Sequence, residues 1–124
     1  MNPKILIADD EPNILISLEY LMKREGFEVH IARDGQQALD VLRSVHPRLL
    51  LLDVMMPGKS GFEVCQELRA DDTLKDTLVL MLTAKGRDTD VAKGQAMGAD
   101  AYVTKPFSTK ELVRKVRELL ERAA

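Results

Sequence analysis

Five short apolar runs alternating with five longer amphipathic stretches predict an α/β domain, a (βα)5 doubly wound parallel sheet. Two further observations support this class. The first, third and fourth runs are almost continuously apolar, as expected of strands covered on both faces. The chain has 124 residues, the length of one compact domain spanning 1–124 that can bury a substantial core.

The strand candidates are Lys4–Ala8 (KILIA), Phe27–Ile31 (FEVHI), Leu49–Leu52 (LLLL), Leu78–Leu82 (LVLML) and Ala101–Thr104 (AYVT). Pro12 suits the first turn of the first helix, where a missing N–H does no harm. Ile14, Leu15, Leu18, Leu21 and Met22 form its apolar stripe, and Gly26 closes it. A second helix runs from about Gln36 to Val45 with Ala38, Leu39, Leu42 and Val45 inward, and Pro47 follows it. A third begins near Gly61 and buries Phe62, Cys65 and Leu68.

The fourth, Asp88–Met97, has only Val91, Ala92, Ala96 and Met97 as its apolar side, and Gly94 weakens its middle by about 1 kcal/mol relative to alanine. Small-residue packing would hold such a helix; the sharper reading is a weakly anchored element that can shift. The last starts at Ser108, an N-cap with Glu111 three residues on, and carries Leu112, Val113, Val116, Leu119 and Leu120. Right-handed crossovers then favour the strand order 2-1-3-4-5, the flavodoxin-like arrangement, with the ligand site at the C-terminal ends of the strands.

Composition narrows the function classes. Hydrophobic residues at 45% and charged residues at 31% describe a globular rather than a disordered chain. A formal net charge of −2 argues against direct, sequence-independent nucleic-acid binding by this domain. No apolar run approaches the roughly 20 residues needed to span a bilayer, and no secretory signal is visible. With Cys65 as the single cysteine, no intrachain disulfide can form, and a cytoplasmic location with no membrane contact is the expectation.

The chemistry is concentrated where the fold rule directs attention. Asp9 and Asp10 follow the first strand and Asp53 the third; Thr83 follows the fourth and Lys105 the fifth. Taken singly, each has an ordinary reading: a helix cap for the aspartates and Thr83, a solvated surface residue for Lys105. Together, at four strand ends of one sheet, they describe a pocket. Three carboxylates bring a charge of about −3, which Mg²⁺ and the Lys105 ammonium would roughly neutralise. Phosphoryl transfer needs an in-line nucleophile and charge stabilisation around the phosphorus, so Asp53 fits the nucleophile, Lys105 a stabiliser and Thr83 a hydroxyl donor.

These residues also carry a resemblance. IADDE after the first strand, LLLLDVMMPGKSGFEVC around Asp53, LTA at the fourth strand and GADAYVTKPF at the fifth resemble the receiver domains of two-component response regulators, over essentially the whole chain. The resemblance implies a phosphorylation switch with the fold of chemotaxis regulators, in which Asp53 accepts a phosphoryl group from a histidine kinase or phosphotransfer protein. It implies that Asp10 binds Mg²⁺ directly, or Mn²⁺ as a substitute, with Asp9 helping through water and with Asp53 and the Met55 carbonyl as further ligands. Thr83 and Lys105 match the switch hydroxyl and the phosphate-binding lysine, the Lys105–Pro106 bond is implied to be cis, and Tyr102 matches the aromatic switch that moves beneath the fourth helix. Met55 and Lys85 flank the site and are poor at positioning water, which implies an aspartyl phosphate that decays slowly.

Two departures stand out. Lys59-Ser60 replaces the bulkier hydrophobe and acidic residue often found in that turn. Ala101 stands where many winged-helix relatives carry a second acidic residue after Asp100. Those relatives dimerise through the fourth helix, fifth strand and fifth helix, and Lys93, Asp100, Glu111 and Arg117 offer parts of such a pattern for a phosphorylation-favoured homodimer. Surface helix charges are more often simply solvated.

Two other classes compete. An aspartate-nucleophile phosphohydrolase usually places its nucleophile in a D-x-D pattern after the first strand, whereas Asp9 and Asp10 are adjacent here. A flavin binder of the same sheet order needs a phosphate cradle after the first strand, where Asp9, Asp10 and Glu11 would repel phosphate. His30 and His46 lack a second ligand at metal spacing, and they and Cys65 read as structural.

Overall fold

The computed structural model describes residues 2–84 and 88–122. Lys85 and the slow-decay reading attached to it lie outside them. The strands are β1 (Lys4–Ala8), β2 (Glu28–Ala32), β3 (Leu49–Asp53), β4 (Leu78–Ala84) and β5 (Ala101–Lys105). The helices are α1 (Pro12–Arg24), α2 (Gly35–Val45), α3 (Gly61–Ala70), α4 (Asp88–Met97) and α5 (Thr109–Arg122). All neighbouring strands are parallel, in the order β2-β1-β3-β4-β5. The (βα)5 flavodoxin-like architecture expected from the sequence is the one observed.

Strand alternation divides the core into two layers. Leu50 and Leu52, with Leu6, Val79 and Met81, pack under Ala38, Leu39 and Leu42 of α2 and Val64, Cys65 and Leu68 of α3. Leu49 and Leu51, with Ile5, Ile7, Leu80 and Leu82, face Leu15, Leu18 and Met22 of α1 and Leu112 and Val116 of α5. Each of the four consecutive leucines of β3 is fully buried, so the uninterrupted apolar run is the direct mark of a strand covered on both faces.

Several boundaries differ from the sequence reading, each for a local reason. β2 begins at Glu28 rather than Phe27 because the Phe27 N–H is used by the end of α1. It donates to Met22 O at 3.2 Å while Gly26 N donates to Lys23 O at 3.0 Å, a left-handed termination with Gly26 at φ 93°. α2 begins at Gly35, one residue earlier than expected, because the Asp34 carboxylate caps it by accepting from Gln37 N at 2.8 Å. Val45 is only half-buried.

At their C-terminal ends, β3, β4 and β5 run one or two residues further than expected. Asp53 and Lys105 are therefore the last residues of their strands and Thr83 the penultimate one, held by the ladder itself instead of following it.

α4 differs most. Ala92 and Ala96, expected on its apolar side, are exposed; Val91 and Met97 are half-buried, and Gly94 is the buried residue between them. The helix is turned so that its glycine faces the sheet. At α5, Ser108 Oγ accepts from Glu111 N at 3.0 Å, and Leu112, Val116, Leu119 and Leu120 are buried.

Candidate functional site

The acidic cleft is assembled at the C-terminal edge of the sheet. β1 ends at Ala8, and the next residue, Asp9, is fully buried. One of its oxygens accepts from Glu11 N at 2.9 Å, steering the chain into α1, and the other accepts from Lys105 Nζ at 2.8 Å. The capping role open to Asp9 and a role in the site are thus met by its two oxygens separately. Asp10 is exposed at the mouth. Asp53, 7% exposed, accepts from Met55 N at 3.3 Å and lies 3.5 Å from Lys105 Nζ. Asp9, Asp10 and Asp53 each offer a carboxylate oxygen, and these lie within 4.8 Å of one another.

Lys105 reaches this group because β5 lies beside β4 and ends level with it, Lys105 opposite Ala84. The Lys105–Pro106 peptide is cis. Thr83 is buried, opposite Thr104 in register, and Tyr102 stands one pleat below it opposite Met81. Thr83, Met81 and Tyr102 therefore share the sheet face that α3 and α4 cover.

One ammonium faces three carboxylates, and the consequence falls on Asp53. Burial, reinforced by the neighbouring Asp9 charge, pushes its pKa up to about 6, against the pull of Lys105. At Lys105, burial works against the charge, but the hydrogen bond it donates to Asp9 and the charges of Asp53 and Asp9 outweigh it and raise the pKa. Asp9 and Lys105 thus form a hydrogen-bonded pair, and Asp53 carries the negative charge left without an equal partner. Hard oxygen donors with surplus negative charge suit a small divalent cation, with Asp9, Asp10 and Asp53 as the side chains to hold it.

The turn after Asp53 is fixed from both sides. A β-carbon on Gly61 would collide with the Asp53 carbonyl, and Gly61 N donates to Val54 O at 2.9 Å. Ser60 and Glu63 form a capping box at the start of α3, each side chain accepting from the other's N–H at 3.3 Å. The sequence reading treated Ser60 as a departure in this turn; its S-x-x-E spacing to Glu63 already signalled the cap. Met55 is 62% exposed beside the cleft.

The residues considered for contacts between copies are placed elsewhere and are largely engaged within the chain. Asp100 pairs with Arg69 at 2.7 Å and accepts from Val79 N at 2.8 Å. Arg117 pairs with Glu25 at 2.8 Å and lies over the Phe27 ring. Lys93 lies 4.7 Å above the Phe62 ring, and Glu111 is exposed. His30 hydrogen-bonds Glu28 at 2.7 Å, His46 ends α2 in a left-handed conformation, and buried Cys65 donates its thiol to Met97 O. Among the described residues no helix is long and apolar enough to cross a membrane.

The family model described as the response regulator receiver domain matches residues 5–117 of the chain. A response-regulator structure from Chloroflexus aurantiacus J-10-fl is 34% identical, with a TM-score of 0.94, covering 98% of this chain and 99% of that one. The chemotaxis response regulator CheY4 of Vibrio cholerae is 29% identical, TM-score 0.91, covering 96% and 99%. The receiver domain of the sensor histidine kinase PA1611 from Pseudomonas aeruginosa PAO1 was solved with a magnesium ion in its active-site cleft. It is 25% identical, TM-score 0.90, covering 98% and 99%.

Proposed function

The chain belongs to the response regulator receiver domain family, and we propose that Asp53 is its phosphoryl acceptor. Receiver domains are the phosphoacceptor switches of two-component systems and work with histidine kinases or phosphotransfer proteins. The observation that carries the residue assignment is the geometry of Lys105, whose ammonium stands 2.8 Å from Asp9 and 3.5 Å from Asp53 at the edge of a three-carboxylate cleft.

An Asp53 oxygen attacks the phosphorus of a phosphohistidine in line. The new P–O bond forms as the P–N bond breaks, and the imidazole leaves with the bond electrons. Lys105 stands ready to shift from the carboxylates to the transferred group, and Thr83 supplies a hydroxyl donor at the end of the neighbouring strand. Asp9, Asp10, Asp53 and the Met55 carbonyl would hold Mg²⁺, or Mn²⁺ in its place. Held there, the cation would supply charge stabilisation for the phosphoryl oxygens. The domain contributes these groups to its own phosphorylation and dephosphorylation and turns over no separate substrate. Sustained hydrolysis of an unrelated phosphate ester would instead support the aspartate-nucleophile phosphohydrolase.

The test is incubation with a small acyl-phosphate donor and Mg²⁺, read by intact mass. One phosphoryl group is expected per chain, and none when the metal is chelated before the donor is added; a chain that stays unmodified with Mg²⁺ present would sink the proposal.

Tyr102 carries the signal outward in this reading. Tyr102→Ala is expected to leave phosphoryl uptake within about twofold of the parent. It should also abolish the change in amide exchange that the phosphoryl mimic beryllofluoride produces across α4 and β5. An undiminished exchange response removes Tyr102 from the switch. A phosphorylation-favoured homodimer on the α4–β5–α5 face belongs to the same proposal. With Asp100 and Arg117 paired inside the chain, its formation requires those pairs to exchange. Sedimentation of the beryllofluoride complex as a monomer at high concentration would remove it.

A further inference from the structure

Gly94 stands out because, among the described residues of α4, it is the buried position, while Ala92 and Ala96 on either side are exposed. A β-carbon there would lie 2.9 Å from Cε1 of the Tyr102 ring, 3.2 Å from the Tyr102 hydroxyl and 3.1 Å from Met81 Sδ. Two of these three atoms belong to one rigid ring. Met81 ends in a flexible thioether and could yield; the ring, approached at both its edge and its hydroxyl, can clear a β-carbon only by moving as a unit.

The ring's present position is also incompletely satisfied. The Tyr102 hydroxyl is buried and, among the described residues, has no hydrogen-bond partner. A buried hydroxyl without a partner is less stable than a hydrated one. The seat beneath α4 therefore stays occupied through packing against Met81 and the bare backbone of Gly94, opposed by a hydroxyl better served in water. Residue 94 therefore acts directly on what holds the ring in this seat.

α4 is held in a way that lets this contact matter. Its C-terminal end is fastened by Arg69, which donates to Gly98 O at 2.9 Å, to Lys75 O and Thr77 O at 2.6 Å each, and to Asp100 at 2.7 Å. Cys65 adds a bond to Met97 O at 3.3 Å. Upstream of that clamp, the buried face of the helix rests on Tyr102 at Gly94.

We propose that Gly94 is the positioning residue of the Tyr102 ring: its missing side chain forms the seat beneath α4, so that any β-carbon at this position drives the ring outward and biases the switch. The bias on signalling rests on the reading of Tyr102 given above; the steric control of the ring does not. If the phosphorylated state favours the seated ring, Gly94→Ala makes that state harder to reach, and by linkage weakens the binding of a phosphoryl mimic to Asp53 by the same factor.

The chain has two tyrosines and no tryptophan, so Tyr20→Phe leaves Tyr102 as the sole fluorophore of its class. In that background, Gly94→Ala is expected to raise the acrylamide quenching constant of Tyr102 about threefold, and to weaken apparent beryllofluoride affinity at saturating Mg²⁺ about fivefold. Quenching equal to the Gly94 protein overturns the proposal. Thermal unfolding supplies a second readout that does not depend on fluorescence. Without the ring, in a Tyr102→Ala background, Gly94→Ala should raise the melting temperature by about 4 °C, the gain of a helical alanine over glycine. With the ring present that gain should be lost; equal gains in both backgrounds would show that no clash exists. Should beryllofluoride bind the Gly94 protein without changing Tyr102 quenching, the switch reading fails while the steric result stands.

Discussion

Asparagine at position 53 is expected to end phosphoryl uptake from the acyl-phosphate donor, lowering the rate by more than about 10³-fold, while making the metal-free protein more stable. The first effect follows from chemistry. A carboxamide oxygen is neutral and a poor nucleophile, and the alternatives nearby are limited: Asp9 is fully buried with both oxygens engaged, by Glu11 N and Lys105. The second follows from the charge imbalance in the cleft. Burial and Asp9 hold the Asp53 pKa up at about 6, against an ordinary value of 3.8. Between those two values the folded chain retains a proton that the unfolded chain releases. Rising pH through that window therefore costs stability, and above about 6 the loss is complete.

The full shift corresponds to roughly 3 kcal/mol, and screening in the open cleft reduces it, so a gain of about 1–2 kcal/mol is expected for the asparagine variant at pH 8. At pH 4, where folded Asp53 is already neutral, the gap should nearly close. Urea unfolding with a chelator at both pH values checks this. A gap that does not depend on pH, or a variant less stable at pH 8, would show that Asp53 is not the residue bearing the unmatched charge. Function and stability moving in opposite directions is what distinguishes a site residue from a structural one here.

Most of this site is legible in the sequence, for a physical reason. In a parallel sheet the chemistry lies where strands end, and strand ends are marked by an apolar run giving way to a polar residue; Leu52 to Asp53 is the plainest case. What could not be read were matters of rotation and local hydrogen bonding. The composition of α4 allowed Ala92 and Ala96 to face inward, but only the placement of the Tyr102 ring shows why Gly94 does so instead. Phe27 looks like a strand residue in sequence, and its side chain is buried as one would be. Its N–H is nevertheless taken by Met22 O at the end of α1, a fact of backbone pairing that side-chain pattern does not encode. Asp100 and Arg117 read as free surface charges because Arg69 and Glu25, their partners, are 31 and 92 residues away in sequence.

Lys105→Met is expected to slow phosphorylation by about 10²–10³-fold, the usual cost of losing one preorganised stabiliser of developing charge. It should also destabilise the metal-free fold by about 3 kcal/mol, because fully buried Asp9 loses its ion-pair partner while methionine keeps the apolar stem. The pH dependence has a definite sign. The Lys105 pKa is raised in the folded state, so its stabilisation is complete below the unfolded lysine value and is lost only as pH climbs through the higher folded one. The deficit of the variant should therefore be full at pH 8 and shrink at alkaline pH, where the parent loses the same charge. Mg²⁺ separates this reading from simple misfolding. Ammonium and cation compete for the Asp9 and Asp53 carboxylates, so removing the ammonium should tighten Mg²⁺ binding about tenfold and let Mg²⁺ recover most of the lost stability. A misfolded variant would bind the metal less well. Isothermal titration and Mg²⁺-dependent melting decide between them: a variant with weakened Mg²⁺ binding, or one phosphorylated at the parent rate, would mean that Lys105 is not the charge partner shared by the metal and the phosphoryl group.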